Sequence, residues 1–302
     1  RRLVAAYLEH EPVIGSQHES PCSSDRLGVV DKGRGTNSPG RRESLCDPDT
    51  FPRSRSSSYA GGADPGAILQ TPRSDVYYED DVKKIRESDD FCRKMIAHVR
   101  GDMALAHKVA AYSLRWRKYV KIAEIKEEGI PKAFFEQKAI YPYNKDKLGC
   151  YVLVLQNKNY TKNMADAIQV KQVFLYFLEK LYNEHGAKKV TMLLDCADAG
   201  LSNLDIDFTK FIFNVFLKRY PMGLGYVIVY DMPWLFNAAW KVIRGWMMPE
   251  AAERVKMVNK SQITDFIDPK DLPVRMGGTD TYEYSYVPGK PLGERVGDSS
   301  KM

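Results

Sequence analysis

From residue 76 onward the spacing of apolar positions changes character twice. Val82, Ile85, Phe91, Met95, Ile96 and Val99 recur at helical intervals and predict one or two short helices. Gly101-Asp102 breaks and recaps the chain. Leu105, Val109, Tyr112, Trp116 and Tyr119 follow at spacings of three and four, an amphipathic helix over 103–119. The "GIP" at 129–131 opens another short one. The rhythm then shortens. "KAIYPY" and "GCYVLVLQ" read as strands joined by the turn "NKDKL". A long helix over 164–186, ended by Gly186, leads to the buried strand "KKVTMLLDCAD" (188–198). A helix over 205–221 has an acidic start and a basic end, matching its dipole, and "GYVIVYD" (225–231) is a second buried strand. Strand, helix, strand, helix, strand, helix predicts an α/β fold: a largely parallel sheet flanked by helices, with a smaller helical piece before it.

The next stretch, "DMPWLFNAAWKVIRGWMMPEAAERV" (231–255), reads as one helix between Pro233 and Pro249. At 100° per residue Asn237, Lys241 and Arg244 form a narrow polar stripe. Leu235, Ala239, Val242 and Trp246 fall opposite, on the side expected to face the core. Trp234, Phe236, Trp240, Ile243 and Met247 fill both flanks, so the helix is apolar nearly all round and carries two cations. Three of the chain's four Trp lie in it.

Composition adds limits. The 302 residues are 44% hydrophobic and 28% charged, ordinary for a globular chain with one or two domains. The basic and acidic residues of 1–75 balance, so the net charge of +6 belongs to 76–302. Residues 1–75 are rich in Ser, Gly, Pro and Arg and lack periodicity, which predicts a disordered tail; "RRES" and "RSRSSS" place Ser44 and Ser56 to Ser58 after arginines. The predicted domains are this tail (1–75), a helical subdomain (76–130), the sheet domain (131–287) and a flexible tail (288–302). The five Cys are scattered without metal or disulfide spacing, and the simplest compartment is a reducing cytosol. No run reaches the roughly 18–20 apolar residues of a membrane span.

Most enzyme signatures are missing: no phosphate-cradling glycine loop, no nucleophile elbow, no His with ligand spacing. His98 and His107 are expected on helix surfaces. Asp195 and Asp198 end a strand, where α/β enzymes keep catalytic groups, but the capping of a turn is the commoner role. "TYEYSY" (281–286) alternates Tyr with acidic or polar residues, unsuited to phosphate, and predicts an edge strand or an extended tail; no nucleic-acid partner is expected. What remains is an apolar surplus on three consecutive helices. Either the core is well filled, or the helices wall a cavity closed by a lid that faces lipid on both sides.

The order "SLRWRKYV", "VTMLLDCADAGLSNLD", "RYPMGLGYVIVYDMPWLFNAAWKVIRGWM", "DPKDLPVRMGGTD" resembles the CRAL-TRIO, or Sec14-like, lipid-binding domain over residues 78–287. The resemblance implies a non-enzymatic lipid-binding or transfer module with no cofactor, no metal and no catalytic residue. In it a gate helix, here the Trp-rich one, covers a hydrophobic pocket floored by the sheet. Its partners would be a hydrophobic lipid and a membrane surface; protein partners stay open. Pocket and gate candidates are Leu193, Phe213, Val229, Trp234, Phe236, Trp240 and Trp246, and headgroup candidates are Lys241, Arg244 and Arg254. Family members that hold phosphatidylinositol carry Glu after "YP" and Lys before the strand that follows the gate; here those positions are Met222 and Arg254. The resemblance also implies a longer parent with a C-terminal anchor in the endoplasmic reticulum membrane; by itself the segment is expected to be cytoplasmic and peripheral at membranes. The alternative is a membrane- or lipid-droplet-targeting domain that inserts the same helix and extracts nothing.

Overall fold

The computed structural model describes residues 76–163, 166–245 and 252–293. The predicted tail over 1–75 lies outside these residues, as do Trp246 and Met247. Among the described residues three helices come first: α1 (Glu79–Glu87), α2 (Asp89–His98) and α3 (Met103–Tyr119). The Asp102 side chain accepts from Leu105 N and so starts α3 where the sequence predicts it. The short helix expected from "GIP" is the four-residue α4 (Ala133–Glu136), and two 3-10 turns, Ile122–Glu124 and Glu127–Gly129, precede it.

Five strands form one sheet in the order β1-β2-β3-β4-β5. They are β1 (Ile140–Lys145), β2 (Tyr151–Gln156), β3 (Val190–Asp195), β4 (Leu224–Tyr230) and β5 (Val255–Val258). β1 and β2 form an antiparallel hairpin, and β2 to β5 run parallel. The spacing of apolar residues does not show β5, because four residues are too few for a period; only the resemblance implies a strand after Arg254. Three crossover helices connect the parallel strands: α5 (Ala167–Asn183), α6 (Ile206–Asn214) and α7 (Asn237–Arg244). The helix predicted over 205–221 is α-helical only to Asn214 and continues as a π turn, Val215–Arg219. Right-handed crossovers between strands taken in consecutive order put all three helices on one face.

The other face is covered by the chain after β5. Val152, Val154, Leu193, Ile228, Tyr230 and Val258 pack there against Ile263, Ile267, Leu272 and Met276. "TYEYSY" is extended without strand pairing. Its rings are what hold it: Tyr284 stacks on Tyr141 and Tyr286 on Phe135. The "MGGTD" run is a structural corner. A side chain at Gly278 would collide with the Leu272 carbonyl, and Asp280 accepts from Tyr143 Oη at 2.7 Å and Asn144 Nδ2 at 3.0 Å.

Candidate functional site

Strand alternation decides which residues can share a surface. Pairing aligns Leu155 with Leu194, Leu194 with Val229, and Val229 with Met257, so these four form one row on the helix-covered face. Leu193 is one residue out of step and packs with Ile263 and Leu272 on the opposite face. The candidates Leu193 and Val229 therefore do not line the same space.

The helices above the row are seated unequally. α5 rests directly on β1 and β2. Its Phe174, Phe177, Leu178 and Leu181 are wholly buried. Phe174 meets Phe208, Phe211 and Phe216 edge to face at 6.0–6.2 Å. α7 meets α6, and α6 in turn packs on α5, with Phe208 and Phe211 against Phe174. Beneath them Val229 is buried, but two members of the row keep some exposure. Leu194, in a central strand, is only half-buried, and Met257 is 38% exposed. An apolar side chain in the middle of a sheet is normally sealed by the layer above it.

The Trp-rich segment does not form one helix from Pro233. A 3-10 turn, Trp234–Phe236, precedes α7. Phe236, Ala239 and Ile243 are buried and Trp240 is half-buried. That arc packs on α6, and Val242, expected on the core side, is 52% exposed because it lies about 110° around the helix from the arc's centre. Asn237, Lys241 and Arg244 are exposed as one stripe, as their spacing predicts. Trp234 is 82% exposed, and Phe213 and Val229 are buried on the helix side. Arg254, at the start of β5, directs its guanidinium at the Leu224 and Gly225 carbonyls, 3.2 and 3.3 Å away.

The carboxylates at the end of β3 are both held in ion pairs. Asp195 is buried and pairs with Arg275 at 2.6 Å, and its other oxygen accepts from Ala197 N at 3.3 Å. Burial pushes its pKa up, against the pull of Arg275. Asp198 is exposed and pairs with Lys158 at 3.3 Å.

Comparison with known proteins agrees with this architecture. The family model described as CRAL/TRIO domain matches residues 135–278. Residues 135–278 are a CRAL/TRIO domain. Among curated relatives, Phosphatidylinositol transfer protein CSR1 of Eremothecium gossypii is 24% identical over 212 residues, 65% of this chain and 48% of that protein. CRAL-TRIO domain-containing protein C365.01 of Schizosaccharomyces pombe is 25% identical over 198 residues, 61% of this chain and 56% of that one. The chain thus spans about half the length of these relatives. In the crystal structure of Sfh5 the same fold recurs with a TM-score of 0.56 at 15% identity, over 69% of this chain and 78% of that one.

The helices before the CRAL/TRIO domain are tied to it by buried polar contacts that the sequence does not announce. Arg117 of α3 donates to Asp81 of α1 at 2.7 Å and grips both oxygens of Glu179 of α5 at 2.8 and 2.9 Å. Tyr220 donates to the same carboxylate. Burial works against both charges, but the pairing raises the Arg117 pKa and lowers that of Glu179. The one available signal is that Ala106, Ala110, Ser113 and Arg117 share a face of α3, so a cation continues a buried stripe. The π turn is clasped as well: Ser113 Oγ donates to the Arg219 carbonyl, and His98 Nε2 bonds the Leu217 carbonyl at 3.0 Å. His98 is therefore not a free surface residue as expected; burial lowers its pKa.

Proposed function

We propose that this chain carries one hydrophobic lipid between the sheet row Leu155, Leu194, Val229, Met257 and the helices α6 and α7. The observation that carries this reading is the partial exposure of Leu194 in a central strand, beside a helix, α7, whose buried arc packs on α6. A sixteen-carbon chain costs on the order of 12 kcal/mol to expose to water, so a carrier needs an apolar space and a movable cover. α7 suits the cover. Its apolar arc faces α6, Trp234 and Val242 face outward, and Lys241 and Arg244 stand where a membrane's headgroups would meet it.

The Eremothecium gossypii relative is named a phosphatidylinositol transfer protein, which supports a lipid ligand and its transfer. In this chain Met222 replaces the acidic residue of phosphatidylinositol-holding members, and the Arg254 guanidinium is engaged by β4 carbonyls. Recognition then rests on the acyl chain more than on an inositol headgroup. The runs "YDMPWLFNAAWK", "PEA" and "MGGTD" resemble the CRAL-TRIO region of motile sperm domain-containing protein 2, and by that resemblance the place of action is an endoplasmic reticulum contact site. The rival reading is a targeting domain that inserts α7 and extracts no lipid. A Leu194→Trp substitution separates the two. It fills the space above the row, so transfer of a fluorescent-acyl phospholipid between vesicles should fall several-fold with vesicle binding unchanged. Unchanged transfer by a folded variant rejects the carrier reading.

A further inference from the structure

Exposed apolar side chains recur at one position in the fold. Ile168 (37% exposed) opens α5, Leu201 (68%) lies in the turn before α6, and Trp234 (82%) lies in the turn before α7. β2, β3 and β4 are adjacent and parallel, so the three segments leave one and the same edge of the sheet, its carboxyl end. The Leu201 turn is braced. Gly200 N donates to Asn203 Oδ1 at 2.7 Å, Asn203 Nδ2 donates to the Tyr160 carbonyl at 2.7 Å, and Lys162 N donates to the Ser202 carbonyl at 3.2 Å. Tyr160 Oη in turn donates at 2.6 Å to Asp205, the cap of α6. A turn held this firmly presents its leucine outward instead of folding it inward.

The charges beside these residues indicate what meets them. Lys158 is paired with Asp198 at 3.3 Å, and Lys162 with Asp207 at 3.0 Å and Asp205 at 3.7 Å. The lysines of these loops are thus neutralised by their own carboxylates, and the exposed Asp231 adds negative charge. These three loops offer no net electrostatic attraction to an anionic surface; the exposed Lys260, after β5, is a cation of this edge outside them. It offers a leucine and a tryptophan, side chains suited to the interfacial layer of a bilayer.

We infer that the carboxyl edge of the sheet faces the membrane, with Leu201 and Trp234 inserting into a zwitterionic phospholipid surface independently of anionic lipid. The inference rests on the lipid-carrier reading, because the same edge adjoins the start of α7 and so delivers the cover to the bilayer. Lys241 and Arg244 add their attraction only where the membrane is anionic.

The test is flotation of the full chain with pure phosphatidylcholine vesicles, for the wild type, Leu201→Asn and Trp234→Ala, with thermal melts and the lipid content of the purified proteins measured in parallel. The expected result is binding by the wild type, a loss of about five-fold in each variant, unchanged melting, and unchanged co-purifying lipid in Leu201→Asn. Equal binding by Leu201→Asn and wild type overturns the inference, and so does wild-type binding that requires anionic lipid. Either result leaves the carrier reading standing if lipid still co-purifies. Leu201-dependent binding by a protein that contains no lipid preserves the membrane edge and removes the carrier.

Discussion

α5 and α7 are both crossover helices on the same face of one sheet, and both are rich in aromatic or large apolar residues. They use them in opposite ways. α5 lies on β1 and β2, and its Phe174 and Phe177 are sealed among other rings. α7 rests on α6, keeps Val242 exposed and is led in by the exposed Trp234. The sheet below is mixed: Leu155 and Val229 are buried, whereas Leu194 and, on the edge strand, Met257 keep contact with solvent. Apolar content alone therefore does not separate a core helix from a cover. What the helix rests on does.

Stability measurements offer the strongest way to break this comparison. Phe174→Ala removes a ring packed against Phe208, Phe211 and Phe216 and should cost about 3–5 kcal/mol in denaturant unfolding. Trp234→Ala should stay within about 0.5 kcal/mol. A comparable loss in both would mean that the α7 region is core after all. Arg117→Ala belongs with the larger class. It strands the buried Glu179 carboxylate and should cost about 3–5 kcal/mol, loosening the N-terminal helices from the CRAL/TRIO domain.

The same pair sharpens the comparison through pH. The folded-state pKa of Glu179 lies below its ordinary 4.5, mainly because Arg117 opposes the effect of burial. Its stabilisation is thus complete above pH 4.5 and is lost as pH falls through the depressed folded value. Glu179→Gln should lower stability at neutral pH and flatten the acid limb of a stability profile. An acid limb as steep as the wild type's would show that other carboxylates carry it.

Smaller effects belong to the membrane side. Trp234→Ala combined with Trp240→Ala should weaken vesicle binding about ten-fold, equivalent to about 1.4 kcal/mol, while stability falls less. Equal losses in flotation and melting would contradict a membrane role for this surface. Lys241→Gln and Arg244→Gln should each remove about 1 kcal/mol of binding to anionic vesicles. High salt should erase that difference.

The fold was largely legible in the sequence because period, caps and turn residues agree for α3, α5, β2, β3 and β4. What the spacing of residues does not show is either short or long-range. β5 has four residues, and the π turn after Asn214 keeps the apolar spacing of a helix. The site was legible in part. The apolar surplus around Trp240 and the polar stripe of Asn237, Lys241 and Arg244 follow from helical geometry. That Leu193 and Leu194 face opposite layers depends on register, and a run of consecutive apolar residues such as "TMLLD" carries no alternation to reveal it. The grip of Arg117 on Glu179 joins positions 62 residues apart, which no local pattern encodes.

The most direct test of the account is native mass spectrometry of the full chain purified from cells, with lipid extraction from the same sample. The account predicts one lipid per protein, released when the protein is mixed with vesicles and absent from Leu194→Trp. A folded wild-type protein that carries no lipid, yet floats with vesicles, would contradict it and leave α7 as a membrane anchor rather than a cover.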